Sequence, residues 1–247
     1  VPIASGFSLA MFVVLYLLSF FDRQILSLVL IPIQQDLGLD DIQLGLVHGL
    51  AFSLFYATVG LALGWAIDQF SKKWLLFGGV VIWSLATVAC GLVDSFNGLF
   101  AARVFVGFGE AVVAPAAMVV LTSIFPRERL GLVMGVYASS TNVGAALVFI
   151  AGGAMLTSLN AAGGATLPLV GALQPWQATF VIVGAPGLLL AFLAFFIVEP
   201  NRTAPAVTAT GLISLGDFLR INRKIVLIHM LAFALMCMNA YCLIAWA

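Results

Sequence analysis

Residues 20–24 read Phe20-Phe21-Asp22-Arg23-Gln24, an acid beside a base inside an apolar run that spans residues 8–31. A run of that length crosses a bilayer as a helix, for which about 20 apolar residues suffice. Ionisable side chains in such a segment cost roughly 2.5–3.5 kcal/mol each on insertion scales, so they face a bundle interior or a water-filled path and mark function. A second pair, Arg103 and Glu110, lies in another apolar run and answers the first. These four residues decide how the rest of the chain is read.

Composition agrees with a membrane setting. The 247 residues are 63% hydrophobic and only 8% charged, against roughly 25% charged in a soluble domain. The fold class expected is therefore an all-α membrane bundle, with the lipid bilayer as its surroundings. Zero net charge argues against a nucleic-acid partner. Cys90, Cys237 and Cys242 lie in apolar segments without ligand or disulfide spacing, which predicts buried small hydrophobes. The first apolar run is too long, and lacks the basic flank, for a cleavable signal peptide. No nucleophile–base pair, metal-ligand pattern or phosphate loop is present, so neither an enzyme nor a bound cofactor is expected.

Seven apolar segments follow one another, over residues 8–31, 42–67, 73–93, 97–125, 130–158, 177–198 and 225–247. Short polar turns separate the first five, and a Gly/Ala/Pro-rich loop over 159–176 precedes the sixth. The predicted organisation is a six-helix bundle over 1–198, a linker over 199–224, and the first helix of a second, incomplete bundle over 225–247. If the segments alternate across the bilayer, Lys72, Lys73, Arg127, Arg129, Arg202, Arg220, Arg223 and Lys224 share one side, while Asp36, Asp40, Asp41 and Asp94 share the other. The positive-inside rule then makes the N-terminus and the linker cytoplasmic. That placement demotes Asn201-Arg202-Thr203 as a glycosylation acceptor. The first and fourth helices each carry an intramembrane acid–base pair, the pattern expected of inverted three-helix repeats.

The second helix ends Gly64-Trp65-Ala66-Ile67-Asp68-Gln69-Phe70-Ser71-Lys72-Lys73. This resembles the signature loop of the major facilitator superfamily: Gly64, Asp68, Lys72 and Lys73 match it, whereas Ala66, Gln69 and Ser71 depart from it. The fourth helix, Arg103-Val104-Phe105-Val106-Gly107-Phe108-Gly109-Glu110, resembles that superfamily's Arg-x-x-x-Gly-x-Gly pattern. A narrower similarity, to the Spinster branch, rests on residues 22–26, 32–39 and 49–56 and on a glutamate at the Glu110 position. It implies a proton-linked carrier of lysolipids or sphingoid phosphates, working by alternating access. Bacterial sugar-acid permeases share parts of the same pattern, which implies a small organic or sugar acid as the alternative substrate. The setting implied is a bacterial inner membrane rather than a eukaryotic organelle. The fifth helix lacks the Gly-Pro pair of drug-antiporter relatives, which argues against that assignment.

Candidate roles follow. Asp22, Arg23 and Glu110 are expected to couple a proton to transport, with Arg23 shared between the two carboxylates and released towards Glu110 when Asp22 is protonated. A static buried ion pair is the bland alternative, but such pairs bring little net stability. Arg103 is a candidate for holding an anion or for pairing with Asp22. Thr141 and Asn142 are candidates for lining the cavity or for hydrogen bonds between helices. Gly64, Asp68, Lys72 and Lys73 are expected to form a cytoplasmic gate, with Asp68 accepting bonds from a helix N-terminus of the missing half. His48 and His229 are read as hydrogen-bonded packing residues, and Gly45 with Gly49 as a small-residue pair for close helix approach. A non-transporting receptor or assembly subunit is the rival from another class.

Overall fold

The computed structural model describes residues 3–167, 171–199 and 215–246, and among them six helices are long and apolar enough to cross a membrane. They are α1 (Ile3–Leu37), α2 (Asp41–Gln69), α3 (Lys72–Cys90), α4 (Phe96–Ile124), α5 (Arg127–Ala162) and α6 (Pro175–Phe196). In the loop before α6, β1 (Ala165–Leu167) and β2 (Gly171–Leu173) pair antiparallel. A short helix, α7 (Leu215–Ile221), lies in the expected linker, and the seventh apolar segment is helical as far as residue 246, within α8 (Arg223–Trp246). The first six helices lie in one unit, residues 1–200, and the last two in another. Most of the linker, including Asn201-Arg202-Thr203, lies outside the described residues, as do the side chains of Cys237 and Cys242.

Local chemistry sets the helix ends. Gly38 closes α1 with φ +62°, a left-handed conformation that glycine adopts without a Cβ penalty. Asp40 opens α2 with a reciprocal cap: its carboxylate accepts from the Gln43 N–H at 2.7 Å and the Gln43 amide accepts from the Asp40 N–H at 3.1 Å, which satisfies two otherwise orphaned donors. The start of α3 is capped from a distance. Glu199, just beyond α6, accepts the Lys72 backbone N–H at 2.8 Å and the Ser71 hydroxyl at 3.0 Å. A carboxylate there meets free N–H groups and the positive end of the helix dipole. Beside it, the Val198 N–H donates to Ser8 Oγ at 2.9 Å. At the other end of the bundle, Trp176 Nε1 donates to Asp36 at 2.9 Å. Helix α6 is thus tied to α1 near both ends.

Two helices carry a π turn, Leu46–Leu50 in α2 and Val148–Gly152 in α5. Helix α4 is interrupted between Glu110 and Val113. Pro115 accounts for the interruption, because it has no N–H to offer the carbonyl four residues back, at Ala111.

The helices approach through glycines, but not through the expected pair. Gly45 and Gly49 face open space among the described residues. They sit on the face of α2 that no described helix covers, so their spacing alone misled. The close approach is at Gly109, where a Cβ would stand 2.5 Å from both the Gly79 carbonyl and the Trp83 N–H, holding α4 against α3. A Cβ at Gly107 would meet the Phe52 carbonyl at 2.6 Å, holding α4 against α2. Backbone cannot yield as a flexible side chain does, so Gly109→Val should destabilise the bundle by about 2–3 kcal/mol. Thermal unfolding of the purified full-length protein should show a lowered midpoint for Gly109→Val and an unchanged one for Gly45→Ala.

Candidate functional site

Residues four apart on a helix share a face, and three such stripes meet in this bundle. Helix α1 presents Ser19, Arg23 and Ser27. Helix α4 presents Arg103, Gly107 and Glu110, and helix α2 presents His48, Phe52 and Tyr56. Arg23 Nε donates to Glu110 Oε2 at 2.7 Å, with Arg23 17% exposed and Glu110 fully buried. Ser19 gives its hydroxyl proton to the same oxygen at 2.7 Å, and Arg23 Nη2 lies 3.2 Å from the Ser19 oxygen. The guanidinium also stacks over Phe52 and Tyr56, 4.7 and 4.6 Å from the ring centroids. Contacts of this kind contribute up to about 2 kcal/mol each when desolvated.

Asp22 is held elsewhere. Its side chain is buried against α3, where Oδ2 accepts from Trp83 Nε1 at 2.7 Å and from Thr87 Oγ1 at 2.6 Å. The sharing of Arg23 between Asp22 and Glu110 is not what the geometry gives. Adjacent helical residues point about 100° apart, so Arg23 turns to α4 and Asp22 to α3.

Arg103 is 1% exposed, and its Nε and Nη1 have no hydrogen-bond partner. Asp22 Oδ1 and Glu110 Oε1 are likewise buried and unpartnered. Phe52 lies 5.9 Å from the Arg103 guanidinium, and the Cys90 thiol, buried as expected, sits beside it. Leaving a buried donor or acceptor unmet costs about 1–3 kcal/mol, more for a charged group, so this cluster is held for something other than stability.

The remaining candidates are more scattered. Thr141 spends its hydroxyl on the Ala138 carbonyl at 2.7 Å, while Asn142 is exposed on α5. Next to them, the buried Tyr137 stacks on Tyr16 at 4.6 Å, joining α5 to α1. Gly64, Asp68, Lys72 and Lys73 lie together around the turn from α2 to α3. There the carboxylate that caps a helix is Glu199; Asp68 is exposed and unpartnered among the described residues. His48 is exposed rather than packed, and bonds to Ser27 at 3.1 Å. His229 is exposed on α8. Among the described residues no three His, Cys, Asp or Glu side chains gather as a metal site.

The profile of the Major Facilitator Superfamily matches residues 12–247. The chain belongs to that superfamily. It is thus a multi-pass integral membrane protein of a transporter family, not of an enzyme family. Its fold is similar to a crystal structure of a bacterial homologue of the human lysosomal transporter Spinster, in an inward-facing and unoccupied conformation. That chain is 32% identical with a TM-score of 0.72, over 82% of this chain and 45% of that one. Among curated superfamily proteins, a hexuronate transporter of Bacillus subtilis is 30% identical over 78% of this chain and 43% of its own length. An MFS-type efflux pump of Mycolicibacterium smegmatis is 28% identical over 84% and 45%. The chain spans less than half the length of these relatives.

Several partners of the charged residues went unread in the sequence: Ser19 and Ser27, Trp83 and Thr87, Phe52 and Tyr56. Their signal was the four-residue spacing of polar or aromatic groups within apolar helices. Truncating Glu110 should be costly, because it strands Arg23: about 3–5 kcal/mol for Glu110→Ala. Adding Arg23→Met to Glu110→Gln should recover much of that loss, so thermal midpoints of the single and double variants should be strongly non-additive.

Proposed function

We propose that the protein is a proton-coupled secondary transporter that works by alternating access and carries an amphiphilic organic anion, a lysophospholipid or a sphingolipid-like molecule. The observation behind this reading is the division of labour among the four charges. Arg23 and Glu110 neutralise each other, whereas Asp22 and Arg103 are buried with polar atoms to spare. With Oδ2 of Asp22 engaged by Trp83 and Thr87, Oδ1 is the atom to carry a proton. Protonation removes a buried negative charge from the same cluster as the Arg103 guanidinium, whose Nε and Nη1 are unpartnered. Arg103 is then available to an anion, so proton and substrate favour each other's binding. Linkage of this kind is reciprocal. It drives transport only through a difference in affinity between inward- and outward-facing states.

An amphiphile fits the surroundings: Phe52 lies 5.9 Å from the Arg103 guanidinium, and with Tyr56 it also stacks on the neighbouring Arg23. The lipid class is what the resemblance to the Spinster branch implies, and the structural similarity to a bacterial Spinster homologue supports that resemblance. A second reading, a permease for a sugar acid, is favoured by the similarity to the hexuronate transporter. In either case the basic turns and the linker would face the cytoplasm, as the charge asymmetry requires, in a bacterial inner membrane.

The test is flux into liposomes that contain the full-length protein under an imposed pH gradient, with a lysolipid and a sugar acid as substrates. Gradient-driven lysolipid flux in the wild type, lost in a well-folded Asp22→Asn variant, is the expected outcome. Sugar-acid flux alone would transfer the assignment to the second reading, and flux indifferent to Asp22→Asn would remove Asp22 from the coupling step.

A further inference from the structure

The inner part of the three-stripe cluster is occupied by the pair of Arg23 and Glu110; the outer part is different. There Ser27 of α1 and His48 of α2 are bonded at 3.1 Å, and both lie on exposed surface. His48 sits in the π turn Leu46–Leu50. A π turn takes in an extra residue and so re-aims the side chains around it, a device frequent at functional sites. One turn along the same stripe is Phe52, which lies 5.9 Å from the Arg103 guanidinium. The π turn also packs against the part of α4 from Phe96 to Glu110, which carries Arg103.

We infer that His48, oriented by Ser27, is a specificity-determining contact for the oxyanion head group of the substrate, acting beside Arg103. The inference rests on the anion-transport reading above. Arg103 supplies Nε and Nη1, two unpartnered donors on different edges of its guanidinium, each able to meet an anion oxygen. In the tautomer whose Nε2 accepts from the Ser27 hydroxyl, the ring proton sits on Nδ1 and is a further donor. A phosphate monoester has three oxygens for these donors and a carboxylate two, so the histidine contact separates the two head groups. An exposed histidine that only paired with Ser27 would make no such distinction.

The probes are a lysophosphatidate, a fatty acid with the same chain, and galacturonate. The protein is the full-length carrier in its wild-type, His48→Ala, His48→Gln and Ser27→Ala forms. Losing a hydrogen bond to a charged group changes affinity by about tenfold. His48→Ala should therefore raise KM for the preferred anion by about that factor, leave Vmax within about twofold, and narrow the KM ratio between phosphate and carboxylate. His48→Gln should restore most of the preference, because its amide keeps a donor. Ser27→Ala should act in the same direction with a smaller effect. Independently, in a His229→Asn background, carbethoxylation of His48 by diethyl pyrocarbonate should be slowed by the anions that bind.

A folded His48→Ala variant with unchanged KM ratios, or with Vmax lowered equally for every probe, would overturn the inference. Protection of His48 without transport of any probe would uphold the subsite and remove the transport reading. Transport without protection and without a KM effect would do the reverse, and neither transport nor protection would overturn both.

Discussion

The bond between Arg23 and Glu110 is the constraint on which the bundle depends. It joins the first and fourth helices at a point where Glu110 has no access to solvent. A carboxylate in that position needs its counter-ion, and Arg23 in turn needs the two aromatic rings and Ser19 that surround it. The chain meets this demand by converging three helices on one spot and by breaking α4 directly after Glu110. Pro115 makes that break, so a residue with no part in the chemistry determines where the backbone stops being continuous. Close passage of α4 over α2 and α3, through Gly107 and Gly109, brings the pair within reach.

Once Glu110 has claimed Arg23, neither Asp22 nor Arg103 has an ion-pair partner among the described residues. Asp22 lies next to Arg23 in sequence, yet the helix turns it to α3, where it meets an indole and a hydroxyl. Arg103, two turns before Glu110, keeps free donors in a buried place. One ion pair is thus structural in geometry, and beside it stand an acid and a base that are each only partly satisfied. Such an arrangement stores a preference that a proton or an anion can release.

Much of this was legible in the chain. The apolar runs located the six membrane helices because burial in lipid leaves little choice but a helix. Intramembrane charges flagged the site because they are too costly to be accidental. Pairing was less legible. Which of two carboxylates holds Arg23 depends on helix rotation, and sequence neighbours are a poor guide to that. Gly45 and Gly49 have the right spacing for close contact but the wrong face, whereas Gly107 and Gly109 were visible only as part of a motif. The role of Glu199 was hidden for another reason: it lies 127 residues from the helix it caps, and no local pattern announces it.

That cap has a mechanical side. Glu199 grips the start of α3, and Val198 beside it grips Ser8 near the start of α1. The last residues of α6 are therefore not a loose exit from the bundle but a junction of three helices. Fraying of the end of α6 would have to break its bonds to α1 and α3 as well as its own. The end of α6 is thereby a fixed corner of the bundle.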